Sequence, residues 1–107
     1  MVELREYLSP NGRSPFRIWF DSLDPIAAAK VTAFLTRLAL GNFSNVRGVG
    51  SGVSEQRIDF GPGYRVYFGR DGAALVILLG GGTKKRQQND IEAAIERWID
   101  YKKRKSE

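Results

Sequence analysis

The chain has 107 residues, no cysteine, no histidine and a formal net charge of +5. Its hydrophobic content of 42% is enough for a folded core, so one globular domain over residues 1–107 is expected. Without cysteine or histidine the chain has no disulfides, thiolate chemistry or imidazole catalysis, so any catalysis must use carboxylates, Lys, Arg, Tyr, Ser or Thr.

The positive charge favours a polyanionic partner, with nucleic acid first and an acidic protein second. A charge of this size also fits a surface that keeps the protein in solution, and charge alone does not separate the two interpretations. The longest apolar run, residues 73–79, is too short to span a membrane. The acidic start of the chain is unlike a signal peptide, so a cytoplasmic protein is expected.

The N-terminal part of the chain predicts one strand and two helices. Residues 2–8 alternate apolar and charged side chains, as a half-buried strand does. Ser14-Pro15 and Asp24-Pro25 are each a helix N-cap followed by proline at the first helical position. Helices are therefore predicted over residues 16–23 and 26–40, packed against each other as a hairpin.

The second half of the chain predicts a loop, three strands and a helix. Residues 41–52 are rich in Gly, Ser and Asn without a usable period, which indicates a loop. Strands are predicted over residues 53–60, 64–70 and 73–79, and their short connections require antiparallel pairing. An apolar stripe predicts a last helix over residues 89–101, followed by a frayed basic tail.

The resulting order, β-α-α-β-β-β-α, predicts an α+β domain with a mostly antiparallel four-stranded sheet. The helices are expected to cover one face of this sheet and to leave the other open. On the strand 64–70, Arg65 and Tyr67 alternate with the apolar side chains, so they are expected on the open face. Arg57 is placed beside them on the preceding strand.

Cations cluster near this predicted open face. Lys84, Lys85 and Arg86 follow the last strand directly, at one end of the sheet. Arg and Lys bind phosphates, and a tyrosine can stack on a base, so the sequence predicts an RNA-binding surface. The alternative is that Arg57, beside Glu55 and Asp59, only forms cross-strand ion pairs on a solvated strand.

The sequence favours neither a metal site nor a bound cofactor. No acidic cluster has metal-ligand spacing. The glycine run at residues 80–82 lacks the spacing of a P-loop or of a dinucleotide fingerprint, so neither is expected.

Two segments carry a family resemblance, "GVSEQRIDFGPGYRVYFGRDG" and "LLGGGTKKRQQNDI". With "SPFRIWFDSLD" and "AIERWIDYK" the resemblance extends over nearly the whole chain. The chain resembles toxins of the RelE/ParE superfamily from bacterial toxin–antitoxin pairs, in particular the HigB-like addiction module killer proteins related to a phage protein. The resemblance implies a compact antiparallel sheet covered by helices. The superfamily contains both ribosome-dependent mRNA endonucleases and gyrase poisons.

The resemblance also implies which residues would act on RNA, without a metal. Arg65 matches a catalytic arginine position, and Lys84 or Lys85 falls at a second catalytic basic position. By this likeness the RNA 2′-OH attacks the adjacent phosphate while Arg65 and Arg57 neutralise the phosphorane. Lys84, among other cations, is the candidate general base, and Tyr67 would orient the nucleotide. Lys85 and Arg86 join Arg57 in binding RNA.

The expected function is the toxin of a type II toxin–antitoxin system, an mRNA endonuclease that acts on the ribosome and inhibits translation. Its expected partner is a cognate antitoxin, a helix-turn-helix protein encoded next to it. RelE-type enzymes carry a tyrosine at a position that falls near Ile91, whereas this chain has no aromatic residue between Phe68 and Trp98. The alternatives are a ParE-like gyrase inhibitor that acts by binding, and a non-catalytic phage or regulatory protein on the same scaffold.

Overall fold

The computed structural model describes all 107 residues, which form five strands, three α-helices and one short 3₁₀ helix. This is the predicted α+β class. None of the three α-helices combines the length and the apolar character that a membrane-spanning helix needs. The elements in chain order are β1 (Glu3–Glu6), α1 (Pro15–Asp21), α2 (Pro25–Ala39), β2 (Val46–Gly50), β3 (Val53–Ile58), β4 (Tyr64–Asp71), β5 (Leu75–Thr83), the 3₁₀ helix (Lys84–Arg86) and α3 (Gln87–Lys105).

Both N-terminal helices begin at their predicted caps. The Ser14 hydroxyl accepts a hydrogen bond from the Arg17 amide at 3.0 Å. The Asp24 carboxylate accepts one from the Ala27 amide at 2.9 Å. In each case a proline follows the cap, where its missing amide hydrogen costs nothing. Local sequence chemistry therefore fixes the start of both helices.

The sheet has five strands rather than the predicted four, and it is mixed rather than antiparallel throughout. The strand order is β1-β5-β4-β3-β2, and β1 pairs with β5 in parallel. The prediction of a loop over residues 41–52 was wrong because β2 pairs there with β3. Val46 and Val49 are three residues apart and pack against opposite core layers, as an odd spacing along a strand gives. Gly48 and Gly50 carry no side chain and the register is irregular between them, so no apolar residues recur at a spacing of two to reveal the strand.

Helices cover both faces of the sheet, so the predicted open face does not exist. The first core layer lies between the sheet and α1 and α2, and it includes Phe16, Val31, Val66, Phe68 and Val76. The second core layer lies between the sheet and α3, and it includes Tyr67, Ile77, Leu79, Ala94 and Trp98. The apolar residues of β5 alternate between the two layers. The apolar stripe of α3 packs into the second layer through Ile91, Ala94, Ile95 and Trp98, while Ile99 is exposed.

The glycine run at residues 80–82 belongs to β5, which continues to Thr83 instead of ending at Leu79. Large side chains rest directly on these glycines. A Cβ on Gly81 would overlap the ring of Trp19, and a Cβ on Gly82 would overlap the carboxylate of Asp90. The run is therefore a packing surface on which α1 and α3 approach the strand closely.

The prediction that the chain frays after residue 101 was wrong. The helix α3 continues to Lys105, and its C-terminal part is bound to the sheet by side-chain contacts. The Tyr101 hydroxyl donates to Asp71 at 2.7 Å, and the Lys105 ammonium also pairs with Asp71. The Tyr7 hydroxyl donates to Asp100 at 2.6 Å. These contacts join the last two turns of the helix to Tyr7, just after β1, and to the end of β4.

Acid should weaken the attachment of α3. Lys105 and then Tyr101 hold the pKa of Asp71 below its usual range, and the Tyr7 hydroxyl lowers the pKa of Asp100. A carboxylate with a lowered folded pKa stabilises the fold above its unfolded pKa of about 4, and this stability is lost as pH falls through the folded pKa. We expect the urea midpoint to fall between about pH 5 and pH 2, and to fall less steeply in Asp71→Asn, Asp100→Asn and Tyr101→Phe. Wild-type slopes in all three variants would contradict this attachment.

Candidate nucleic-acid interface

Three of the sequence-predicted site residues meet at the end of the sheet where a tight turn joins β3 to β4. Arg57 and Arg65 are register partners on these two strands. The Arg65 Nη1 donates to the carbonyl oxygen of Gly63 at 2.7 Å, and the Lys84 amide donates to the same oxygen at 3.0 Å. Gly63 has a φ of +79°, which glycine adopts without strain. The turn thus gathers cations from β3, from β4 and from the segment after β5.

We call Arg57, Arg65 and Lys84, with Lys85 and Arg86 next in the chain, the cationic end of the sheet. Its members differ in their access to solvent. The Arg57 side chain is 52% exposed, and Lys84, Lys85 and Arg86 are exposed. The Arg65 side chain is only 7% exposed. A bound polyanion would therefore contact the exposed cations directly, with Arg65 below them.

Arg65 and Tyr67 are buried, contrary to the prediction that they face outward. Tyr67 belongs to the core layer beneath α3 and is 1% exposed. The alternation along β4 was interpreted correctly, because Arg65 and Tyr67 do share a face opposite Val66. The error lay in the position of α3, which covers that face. Buried Tyr67 offers no surface on which a base could stack.

Glu55, which sequence reasoning treated as a surface ion-pair partner, is the centre of a buried ionic network. Its carboxylate accepts hydrogen bonds from Arg47 Nε and from Gln87 Nε2, each at 2.9 Å. Its Oε2 lies 3.8 Å from the Nε of Arg65. The carboxylate is fully buried, and it connects β2, β4 and the start of α3. Glu55 thereby helps to fix the orientation of Arg65.

The network sets the charge state of its members. Burial acts to raise the pKa of Glu55, but the hydrogen bonds from Arg47 and Gln87 outweigh it and bring the pKa below its usual range. Burial and then the Glu55 charge raise the pKa of Tyr67. Neither the Tyr67 hydroxyl nor the Arg65 Nε has a hydrogen-bond partner. Near neutral pH the network therefore contains an ionised Glu55 and a protonated Tyr67.

Arg57 has only one weak ionic contact, so its charge is available to a ligand. Its Nη2 lies 3.9 Å from Asp59, whose side chain is well exposed. Glu55, the other expected partner, pairs with Arg47 and Arg65 instead. An exposed pair at this distance contributes little to stability. The predicted cross-strand ion pairing thus accounts for a small part of the Arg57 charge.

This small α+β domain, with cations gathered at one end of its sheet, has a relative among known proteins. No family model matches the chain. It is 45% identical to an uncharacterized protein of Haemophilus influenzae over 80 residues, which are 74% of this chain and 81% of that protein. The chain therefore belongs to the same family as the Haemophilus influenzae protein.

Proposed function

We propose that this protein is the toxin of a type II toxin–antitoxin pair and cleaves mRNA on the ribosome. The observation that carries the proposal is the convergence of Arg57, Arg65 and Lys84 on the turn at Gly63. A group of cations at one end of the sheet, with Arg57 and Lys84 exposed and Arg65 held in place, suits the phosphate backbone of RNA. The resemblance of the segments around Arg65 and Lys84 to RelE/ParE toxins supports the same activity.

In the proposed reaction the RNA 2′-OH attacks the adjacent phosphorus and the bond to the 5′-oxygen breaks. The products are a 2′,3′-cyclic phosphate and a new 5′-hydroxyl, so the leaving oxygen takes up a proton. Lys84, acting in the form of its neutral amine, accepts the proton of the 2′-OH, and the leaving 5′-oxygen takes up a proton from water. Arg57 contacts the phosphate, and Arg65 adds its charge from a less polar environment below, where electrostatic stabilisation is stronger.

Arg65 suits this role because its guanidinium is already held in place. Its Nη1 is bound to the Gly63 carbonyl and its Nε faces the Glu55 carboxylate. A charge that does not reorganise during the reaction stabilises a transition state more effectively than a mobile one. Tyr67 has no direct part in this form of the mechanism, because it is buried beneath α3.

The proposed partner is a cognate antitoxin, a helix-turn-helix protein encoded next to the toxin. The exposed cations of Arg57, Lys84 and Lys85 would attract an acidic segment of it. The outer edges of β1 and β2 are unpaired in the sheet and would accept an added strand. Covering the cationic end of the sheet would keep RNA away from it.

A cell-free translation reaction tests the proposal. We expect added protein to generate new 5′ ends on a reporter mRNA, mapped by primer extension. Arg65→Lys keeps the positive charge but loses the planar guanidinium with its several N–H donors. This variant should lower the cleavage rate about 100-fold, as removal of one stabilising donor does. Arg57→Gln and Lys84→Gln, both at exposed positions, should also reduce cleavage.

The matched control is Lys103→Gln, which removes one charge from the far end of α3. This variant should cleave at the wild-type rate, since Lys103 is exposed and lies away from the turn at Gly63. Thermal unfolding of each variant separates a lost activity from a lost fold. A wild-type rate in folded Arg65→Lys would show that the site is wrong, and inhibited translation without new 5′ ends would show that the protein is not a nuclease.

The burial of Tyr67 favours a second candidate, a ParE-like toxin that inhibits DNA gyrase by binding. Tyr67 is covered and no aromatic residue occurs between Phe68 and Trp98, so neither β4 nor the segment after β5 supplies the tyrosine that the RNase hypothesis expects at the cationic end. Inhibition of supercoiling by purified gyrase, with reporter mRNA left intact, would select this candidate. Inactivity in both assays would select the non-catalytic phage or regulatory protein.

A further inference from the structure

A polar cleft of about 580 Å³ lies between α1 and α3, on the opposite side of β5 from β4. β1 ends before this point: the amide of Tyr7 donates to Leu78, and β5 continues to Thr83 without a neighbour on that side. We call this space the α1–α3 cleft. Its lining includes Arg13, Trp19, Gly81, Gly82, Arg86 and Asp90. Its volume is typical of a small-molecule site.

The cleft contains charged groups that the fold does not use. The side chains of Arg13, Arg86 and Asp90 make no hydrogen bond or ion pair within the chain, although all three line the same space. Arg97, a fourth charged residue, donates its Nη1 to the Leu79 carbonyl at 2.9 Å. Arg13 and Arg86 are exposed and need no partner within the chain, whereas Asp90 is half-buried and has none.

Asp90 is the group that most needs an external partner. Its carboxylate rests on the backbone of Gly82 and is half-buried. Burial raises the pKa of Asp90, although Arg86 and Arg97 oppose the shift. An unpaired, partly buried carboxylate destabilises the fold, and a ligand that donates hydrogen bonds to it would remove that cost.

Trp19 supplies the aromatic wall of the cleft. Its ring packs on Gly81 and edge-on against Tyr64, with ring centroids 6.3 Å apart, so it is held in a fixed position. A fixed indole is a stacking surface for a planar ligand. The two arginines at the mouth of the cleft, Arg13 and Arg86, are exposed and suited to an anionic group.

We propose that the α1–α3 cleft binds a guanine nucleotide. The ligand must combine a planar ring for Trp19, hydrogen-bond donors for the Asp90 carboxylate and a phosphate for Arg13 and Arg86. Guanine presents N1–H and N2–H₂ side by side, which match the two oxygens of a carboxylate that only accepts. Adenine presents one amino group there beside an acceptor nitrogen, which would face the carboxylate unfavourably.

The guanine nucleotide can be free in solution or part of an RNA strand. In the second case the inference rests on the proposed function, because the cleft would hold a base next to the cleavage position. Arg86 lines the cleft and follows Lys84 and Lys85 directly, and Gly82 on its floor is the register partner of Arg65. A strand bound at the cationic end of the sheet would therefore pass the mouth of the cleft.

Calorimetric titrations with guanosine 5′-monophosphate and adenosine 5′-monophosphate test the base assignment. We expect the guanine nucleotide to bind roughly ten-fold more tightly, the discrimination that one good bidentate contact supplies. Asp90→Asn keeps the shape of the side chain but replaces one acceptor by a donor, so it should abolish the preference. Arg86→Gln should weaken both nucleotides equally, because it removes a phosphate contact. Equal binding of the two nucleotides by the wild type, or an unchanged preference in Asp90→Asn, would overturn the proposal.

A second set of titrations separates the two sources of the nucleotide. Pentanucleotides with a single central G or A in a uridine background are compared with the mononucleotides. Tighter binding of guanosine 5′-monophosphate than of the G-containing pentanucleotide identifies a free nucleotide as the ligand, and the reverse order identifies RNA. If neither mononucleotide and neither pentanucleotide binds, the proposed site is wrong. Arg57→Gln and Lys84→Gln should retain the mononucleotide preference even if they lose RNA cleavage. The titrations can therefore show that the nucleotide site is wrong while the cleavage activity stands, and the cleavage assay can show the reverse.

The melting temperature of Asp90→Asn should equal or exceed that of the wild type, because the wild-type carboxylate has no hydrogen-bond partner to lose.

Discussion

Glu55→Ala should destabilise the protein by about 3–5 kcal/mol, the usual cost of removing one partner from a buried ion pair. The carboxylate is fully buried, and its removal leaves the Arg65 guanidinium buried without a counter-charge. Gln87 would lose its acceptor as well, and with it a bond between α3 and the sheet. Since small domains are stable by only about 5–15 kcal/mol, the loss should be visible as a large drop in the urea midpoint.

Two further variants make this prediction specific. Glu55→Gln keeps the shape and one acceptor oxygen, so it should be less destabilising than Glu55→Ala although it also removes the negative charge. Glu92→Ala removes the same charge from an exposed position on α3 that has no ion pair, and it should change stability by no more than about 0.5 kcal/mol. An equal effect of Glu55→Ala and Glu92→Ala would show that the buried network contributes nothing to stability.

Parts of this fold were predictable because they depend on local chemistry. The caps at Ser14 and Asp24 determine where the helices begin, and the glycines around Pro62 determine the turn that joins β3 to β4. The alternation of Arg65 with Val66 gave the correct sides of β4. The turn then brings Arg57 and Arg65 together as register partners, so the sequence also predicted part of the candidate site.

The rest depends on contacts between distant segments. Periodicity shows which residues share a face of a strand, but it does not show which helix covers that face. Arg65 and Tyr67 alternate with apolar side chains and were therefore expected on a face without helices, whereas α3 covers that face and buries both. Glu55 is acceptable in the interior only because Arg47, Gln87 and Arg65 meet it there, from three other elements. No local pattern in the sequence contains that information.

Gly69→Ala should lower stability by about 3 kcal/mol, near the upper end of the usual cost of overfilling a packed core. A Cβ on Gly69 would lie 2.5 Å from Cε3 of Trp98. The indole cannot retreat easily, because Tyr101 stacks on it with ring centroids 5.3 Å apart and an interplanar angle of 5°. The melting temperature should fall by about 10–20 °C for a domain of this size.

The control for Gly69→Ala is Gly48→Ala, which makes the same change in a strand of the same sheet. A Cβ on Gly48 meets no atom within 4 Å, so this variant should be neutral or slightly stabilising. A small effect at both glycines would mean that α3 does not pack on β4, and that the sheet has the open face expected from its alternation.

The cationic end of the sheet lies beside the turn at Gly63 and not beneath Trp98. If the protein cleaves RNA as proposed, the cleavage rate of Gly69→Ala per folded molecule, measured below its melting temperature, should therefore equal that of the wild type.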